Sequence, residues 1–144
     1  MSQMKAARVA LLIAGLIEFA LAGMMFLMAG FDLTGYLILA PYRVSHSAAV
    51  VIQSYMGVLA VFAFIFGLAG SVSAAERWSL LLPIIGASLV ACWGVLQNWY
   101  TVTWLTDLED IQRGITYGTI AIFFSLLVII LVIASKEHFK TYLL

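Results

Sequence analysis

The chain is 144 residues long, and its seven Lys and Arg balance seven Asp and Glu. Hydrophobic residues make up 65% of it and charged residues 10%, against about 25% charged in a soluble domain. One soluble core of this size cannot hide so much apolar surface, which excludes a soluble fold, and a net charge of zero suggests no polyanion such as nucleic acid as a partner.

The first apolar run is VALLIAGLIEFALAGMMFLMAG, residues 9–30. At about 1.5 Å per residue it spans the hydrocarbon core of a bilayer. It is longer than the apolar region of a signal peptide, so Lys5 and Arg8 before it mark the start of a first membrane helix, over about 6–30. Glu18 is the one charged residue in the run. A carboxylate at that depth costs on the order of 3 kcal/mol if unpaired. Its helical neighbours Leu11, Ala14, Gly15, Ala22 and Met25 are mainly small. The opposite face carries Val9, Leu16, Ala20 and Leu27. Small residues let helices approach closely in lipid, so Glu18 is expected to point into a bundle.

The connection FDLTGYLILAPYRVSH follows. Its GYLILAPY stretch is too short to span, and it reads as an interfacial segment with Tyr36 and Tyr42 at headgroup level. A second helix is expected over about 47–73. Gly57, Ala60, Ala63, Gly67 and Ser71 form its small-residue seam, with Gln53 on the same line. A tight turn at Glu76 and Arg77 leads to a third helix over about 78–100, whose seam is Ala87, Ala91 and Gly94 and which ends near Asn98. The stretch Thr106-Asp107-Leu108-Glu109 has the form of a capping box. It predicts a fourth helix over about 106–135, preceded by an aromatic belt of Trp99, Tyr100 and Trp104. Gly114, Gly118, Ala121 and Ser125 make the seam of that helix. Its Ile- and Leu-rich second half is expected to face lipid.

These runs do not alternate polar and apolar residues as the strands of a membrane barrel do, and buried backbone must pair within each segment, so the fold class is an all-α integral membrane protein. One domain, residues 1–144, holds a four-transmembrane-helix bundle. Lys5, Arg8, Arg77, Lys136 and Lys140 fall on one side and only Arg43 and Arg113 on the other. This asymmetry predicts that the N- and C-termini are cytoplasmic. The acidic residues Asp32, Asp107, Glu109 and Asp110 fall on the far side.

Counting from the helix ends places Ser88 and Ser125 near the level of Glu18, as its candidate hydrogen-bonding neighbours. Gln53, Gln97, Asn98, Tyr55 and Tyr117 form an outer polar group. Gly15, Ala22, Gly57, Gly67, Gly94, Gly114 and Gly118 are the expected packing positions, within the bundle or against another subunit. With no Lys, Arg or His at its depth, Glu18 is expected as a neutral acid, which both donates and accepts. Three roles fit it: a structural hydrogen bond, a contact with another subunit, or a proton or cation site.

Other chemistry finds little footing. Asp107, Glu109 and Asp110 could offer oxygen ligands to a divalent cation, but they lack the spacing and glycine of a calcium loop and suit a helix N-terminus as they stand. His46 and His138 are expected on opposite sides of the membrane and cannot share a haem. The sequence has no cysteine pair, no metal-ligand spacing and no Gly-rich phosphate loop, so neither catalytic residues, a metal nor a cofactor is predicted. Lipid contacts are expected throughout.

The layout resembles that of tetraspan membrane proteins. The MARVEL type is similar in architecture, whereas the claudins and tetraspanins carry outer-loop cysteines that this chain lacks. Glu18 within GLIEFALAG also resembles the mid-helix glutamate of the small multidrug resistance transporters. That likeness covers one residue in one helix, and it implies proton-coupled export through Glu18. The functional expectation is therefore a non-catalytic multi-pass subunit or organiser of a larger membrane complex, with other membrane subunits or copies of itself as partners. The alternative is a proton-coupled small-molecule transporter or channel using Glu18.

Overall fold

The computed structural model describes residues 2–34 and 47–141. Four long helices account for almost all of them: α1 (Ser2–Thr34), α2 (Ser47–Glu76), α3 (Leu81–Trp104) and α4 (Leu108–Ala134). All four are long and apolar enough to cross a membrane. The expected interfacial segment with Tyr36 and Tyr42, together with Arg43 and His46, lies outside the described residues.

The helices form an antiparallel ring. α1 packs along α2, α2 along α3, α3 along α4, and α4 closes back onto α1. The inward stripe of α1 is Ala7, Leu11, Ala14, Glu18, Leu21, Met25, Ala29 and Asp32, all buried. The steps between them alternate mostly between three and four, the spacing that keeps one seam facing its neighbours along a gently supercoiled bundle. Val9, Leu16, Phe19 and Leu27 face outward, where a bilayer would solvate them. In α4 the apolar second half divides: Leu126, Ile130 and Ile133 face outward, while Val128 and Val132 are core.

Close approach is set by small residues. A Cβ on Gly15 would sit 3.0 Å from the Ser71 carbonyl, and one on Gly67 3.1 Å from the Ala22 Cβ. Gly57 receives the Leu33 side chain, and Gly94 lies against the Gly118 carbonyl. Gly114 gives room to Thr101, and Gly118 to Asn98.

The α2–α3 connection is built from its own residues. Trp78 N–H bonds to the Ser73 carbonyl at 3.0 Å while Arg77 takes a left-handed φ of 60°, the pairing of a Schellman end. Pro83, in the first turn of α3, has no N–H to offer the Ser79 carbonyl. Ser73 Oγ donates to that carbonyl at 2.7 Å and accepts from Ser79 N–H at 2.9 Å. One buried serine thus satisfies both sides of the turn.

Beyond α4, a short 3₁₀ turn (Lys136–His138) leads into a strap that lies against this connection. Lys140 N–H bonds to the Arg77 carbonyl at 2.9 Å, and Leu80 N–H to the Thr141 carbonyl at 3.0 Å. The start of α1, the α2–α3 turn and the strap therefore share one end of the bundle.

The helix bounds differ from expectation in two places that matter. α1 continues through Asp32 to Thr34, because the carboxylate is buried and bonded rather than looped out. At α4 the N-cap is Asp107, not Thr106: its carboxylate accepts from Glu109 N–H at 3.2 Å. The Glu109 carboxylate turns forward to Arg113 at 3.8 Å, so the expected capping box does not form. Tyr100 belongs to the core and not to an aromatic belt, while Trp99 is exposed.

Arg77 tests the turn. A residue with a Cβ costs about 1–2 kcal/mol in a left-handed conformation. Arg77→Gly should therefore raise the thermal unfolding midpoint in detergent, and a lowered midpoint would show that the side chain holds the turn.

Candidate functional site

Glu18 is fully buried. Its carboxyl enters the point where α2 and α3 cross most closely. Oε1 lies against Gly70 of α2 and Gly86 of α3, and a Cβ on either glycine would overlap it. The same two positions admit the backbones to each other. A Cβ on Gly70 would come within 2.8 Å of the Leu82 carbonyl and 2.9 Å of the Pro83 Cα, and one on Gly86 within 2.6 Å of the Phe66 carbonyl. Gly70 and Gly86 thus make both the helix crossing and the niche that receives the acid.

Among the described residues no hydrogen-bond partner reaches either carboxyl oxygen of Glu18. Ser125 is buried near this level, but its hydroxyl donates to the Ala121 carbonyl of its own helix. Ser88 is half-buried, and the structure does not bring its hydroxyl to the carboxyl. The nearest hydroxyl contact to α1 is one turn away, where Ser71 Oγ donates to the Gly15 carbonyl at 2.8 Å. Among the described residues no Lys, Arg or His is buried, so no cation faces the niche from α2, α3 or α4.

A second acid lies on the same stripe of α1. Asp32 is 8% exposed and accepts from Trp93 Nε1 at 3.3 Å. Gln53 of α2 is a further hydrogen-bonding neighbour. Tyr100 lies nearby. The two acids differ in kind: Asp32 is held by donors from α2 and α3, whereas Glu18 is held by shape alone. Between them the core is filled by Met25, Met56, Val90 and Trp93, all fully buried.

The expected outer polar group splits up. Gln53 joins Asp32. Gln97 Nε2 donates to Thr101 Oγ1 at 3.3 Å, and Thr101 Oγ1 donates to the Gln97 carbonyl at 2.7 Å. Asn98 packs its amide on Gly118 and leaves Oδ1 without a partner. Tyr117 packs half-buried against the core. Tyr55 is exposed. Of the described residues, no three His, Cys, Asp or Glu converge as a metal site, and Cys92 is a free, exposed thiol.

Sequence reasoning missed Gly70, Gly86, Asp32 and Trp93. A signal for Asp32 was present: it follows Glu18 by two heptads, through Met25. The two glycines lie beside the seams that the spacing singled out, at Ser71 and Ala87, and only the crossing geometry separates them. No family model, curated protein or solved structure gives a significant match to the chain.

Two variants probe the niche. Gly86→Ala should destabilise the bundle by about 1–3 kcal/mol, because the added methyl meets backbone; Gly23→Ala, where nothing lies within 4 Å, should not. Equal effects in thermal unfolding would mean that the crossing is loose. Glu18→Met removes two unsatisfied oxygens at similar size and should stabilise by about 1–3 kcal/mol. A lower unfolding midpoint would reveal a hydrogen bond that the acid makes.

Proposed function

We propose that this protein is a non-catalytic multi-pass membrane subunit, one that organises or joins a larger membrane complex, with its N- and C-termini and the α2–α3 turn on the cytoplasmic side. The orientation follows from the excess of Lys and Arg at that end.

One observation carries the assembly reading. Within the bundle, close approaches of helices occupy Gly15, Gly57, Gly67, Gly70, Gly86, Gly94, Gly114 and Gly118. Gly23 and Gly30 of α1 have open space where a side chain would be, and both face outward. An apolar groove between α1 and α2, lined by Phe26, Gly30, Leu33, Val61, Phe64 and Ile65, runs beside Gly30. In lipid, helices associate where small residues allow backbones to meet, and among the described residues nothing packs on these two glycines. They suit a helix of another subunit or of a second copy.

Purification in gentle detergent, with mass spectrometry of the intact assembly, should show a defined complex. Gly23→Leu with Gly30→Leu should release it without lowering the unfolding midpoint. A monodisperse monomer from the native membrane, or a complex indifferent to both substitutions, would overturn the proposal.

A second reading, proton-coupled transport through Glu18, is favoured by the two partnerless carboxyl oxygens. It expects proton flux in liposomes that Glu18→Gln abolishes. The packed core between Glu18 and Asp32 weighs against it.

A further inference from the structure

Glu18 is enclosed, yet it is not deep from every direction. Gly70, which its carboxyl touches, comes six residues before the end of α2 at Glu76 (76 − 70). Gly86 comes five residues after the start of α3 at Leu81 (86 − 81). The acid therefore lies only about 9 Å inside the turn end of the bundle at the usual helical rise. In the other direction α2 extends 23 residues from Gly70 back to Ser47 (70 − 47) and α3 extends 18 residues from Gly86 on to Trp104 (104 − 86), about 27 Å or more. That direction is blocked by Met25, Met56, Val90 and Trp93. Any water that reaches Glu18 has its short route from the turn end.

What closes that end is not a helix. It is the strap after α4, in the sequence Ser135-Lys136-Glu137-His138-Phe139-Lys140. Lys136, Glu137 and Lys140 are exposed and His138 is half-buried, while the Phe139 ring is turned inward and only 8% exposed. Phe139 belongs to one buried cluster with Leu11, Ala14, Ala87, Val128 and Val132. Ala14 is one helical turn below Glu18 on the same stripe, and Ala87 adjoins Gly86 of the niche. This cluster fills the interior between the carboxyl and the turn end, and Phe139 is its outermost member. The strap is pinned by backbone hydrogen bonds from Lys140 N–H to the Arg77 carbonyl and from Leu80 N–H to the Thr141 carbonyl, the latter within a parallel bridge between Ser79 and Thr141. The outer part of this closure, a short strap and one ring, lies outside the helices and can open without unwinding one.

We propose that residues 136–141 form a lid over Glu18, with Phe139 as its plug, and that lifting the lid admits water and protons to the carboxyl. The strap charges at Lys136, Glu137 and Lys140 stay outside the closed lid, and no charged side chain of α2, α3 or α4 faces the carboxyl among the described residues. The lid rests on the niche and the strap, not on the subunit reading: a monomer with a working lid would end that reading and leave this one intact.

The test measures solvent access to position 18 directly. Glu18→Cys, in a Cys92→Ser background, is treated in nanodiscs with a water-soluble cationic methanethiosulfonate, and modification is followed by intact mass. With the native strap the introduced thiol should react slowly, while one at exposed Met4→Cys reacts at once. Adding Phe139→Ala should speed modification at position 18 by at least about tenfold, as expected when a buried ring holding a local closure is lost. Phe139→Leu should retain most of the protection. A thiol placed at Ala60, in the core on the other side of Glu18, should stay protected in the Phe139→Ala protein. Rapid reaction at position 18 under the native strap, or no acceleration by Phe139→Ala, overturns the proposal. Equal acceleration at positions 18 and 60 also overturns it, because the strap would then only stabilise the bundle.

Discussion

The bundle depends on the crossing of α2 and α3 at Gly70 and Gly86. Helices already in lipid gain little from hydrophobic burial against each other, so their packing relies on van der Waals contact and on how closely backbones can approach. At this crossing each glycine lets a carbonyl of the facing helix come in where a methyl would be, the Leu82 carbonyl at Gly70 and the Phe66 carbonyl at Gly86. The same omission of side chains leaves the cleft that takes Glu18. Weak contacts from glycine Cα–H groups to the carboxyl oxygen suit such a cleft, but they do not replace a full hydrogen bond. The acid is retained at a position that an apolar side chain of equal volume would fill with less cost.

That contrast with Asp32 gives the two acids separate meanings. Asp32 ties α1 to α3 through Trp93 and has Gln53 of α2 beside it, so α2 and α3 both contribute to one polar junction with α1. It is a structural anchor in the ordinary sense, a buried polar group with its donors in place. Glu18 has no donors, and its surroundings are backbone and methylene. A partnerless buried group in a well-packed bundle is the sort of local inconsistency that natural sequences tolerate where a task requires it.

Much of this architecture was legible in the sequence, because length and apolarity dictate helices in a bilayer and spacing dictates faces. Leu11, Ala14, Gly15, Glu18, Ala22 and Met25 could be placed on one side of α1 by counting alone. Asp32 falls on that same face two heptads beyond Glu18, but a charge at the end of an apolar run also reads as the start of a loop until Trp93 is known to face it. The cap of α4 moved from Thr106 to Asp107 because adjacent residues can both cap, and the choice rests on one φ/ψ pair. Phe139 lay in a charged run and carried no periodic signal. Its burial depends on the chain folding back onto a turn sixty residues earlier, which no local pattern encodes.

The two acids of α1 also bear on how such a bundle enters a membrane. A helix threaded alone would carry Glu18 into hydrocarbon at roughly 3 kcal/mol if charged, and would leave Asp32 at its end without its donors. α1 therefore has a poor hold on the bilayer until α2 and α3 stand beside it. The Gly70–Gly86 hairpin has no acid on its apolar length, its turn is closed by Ser73, and it can settle first. α1, though earliest in the chain, has its two acids enclosed only when Trp93 meets Asp32 and the cleft closes around Glu18.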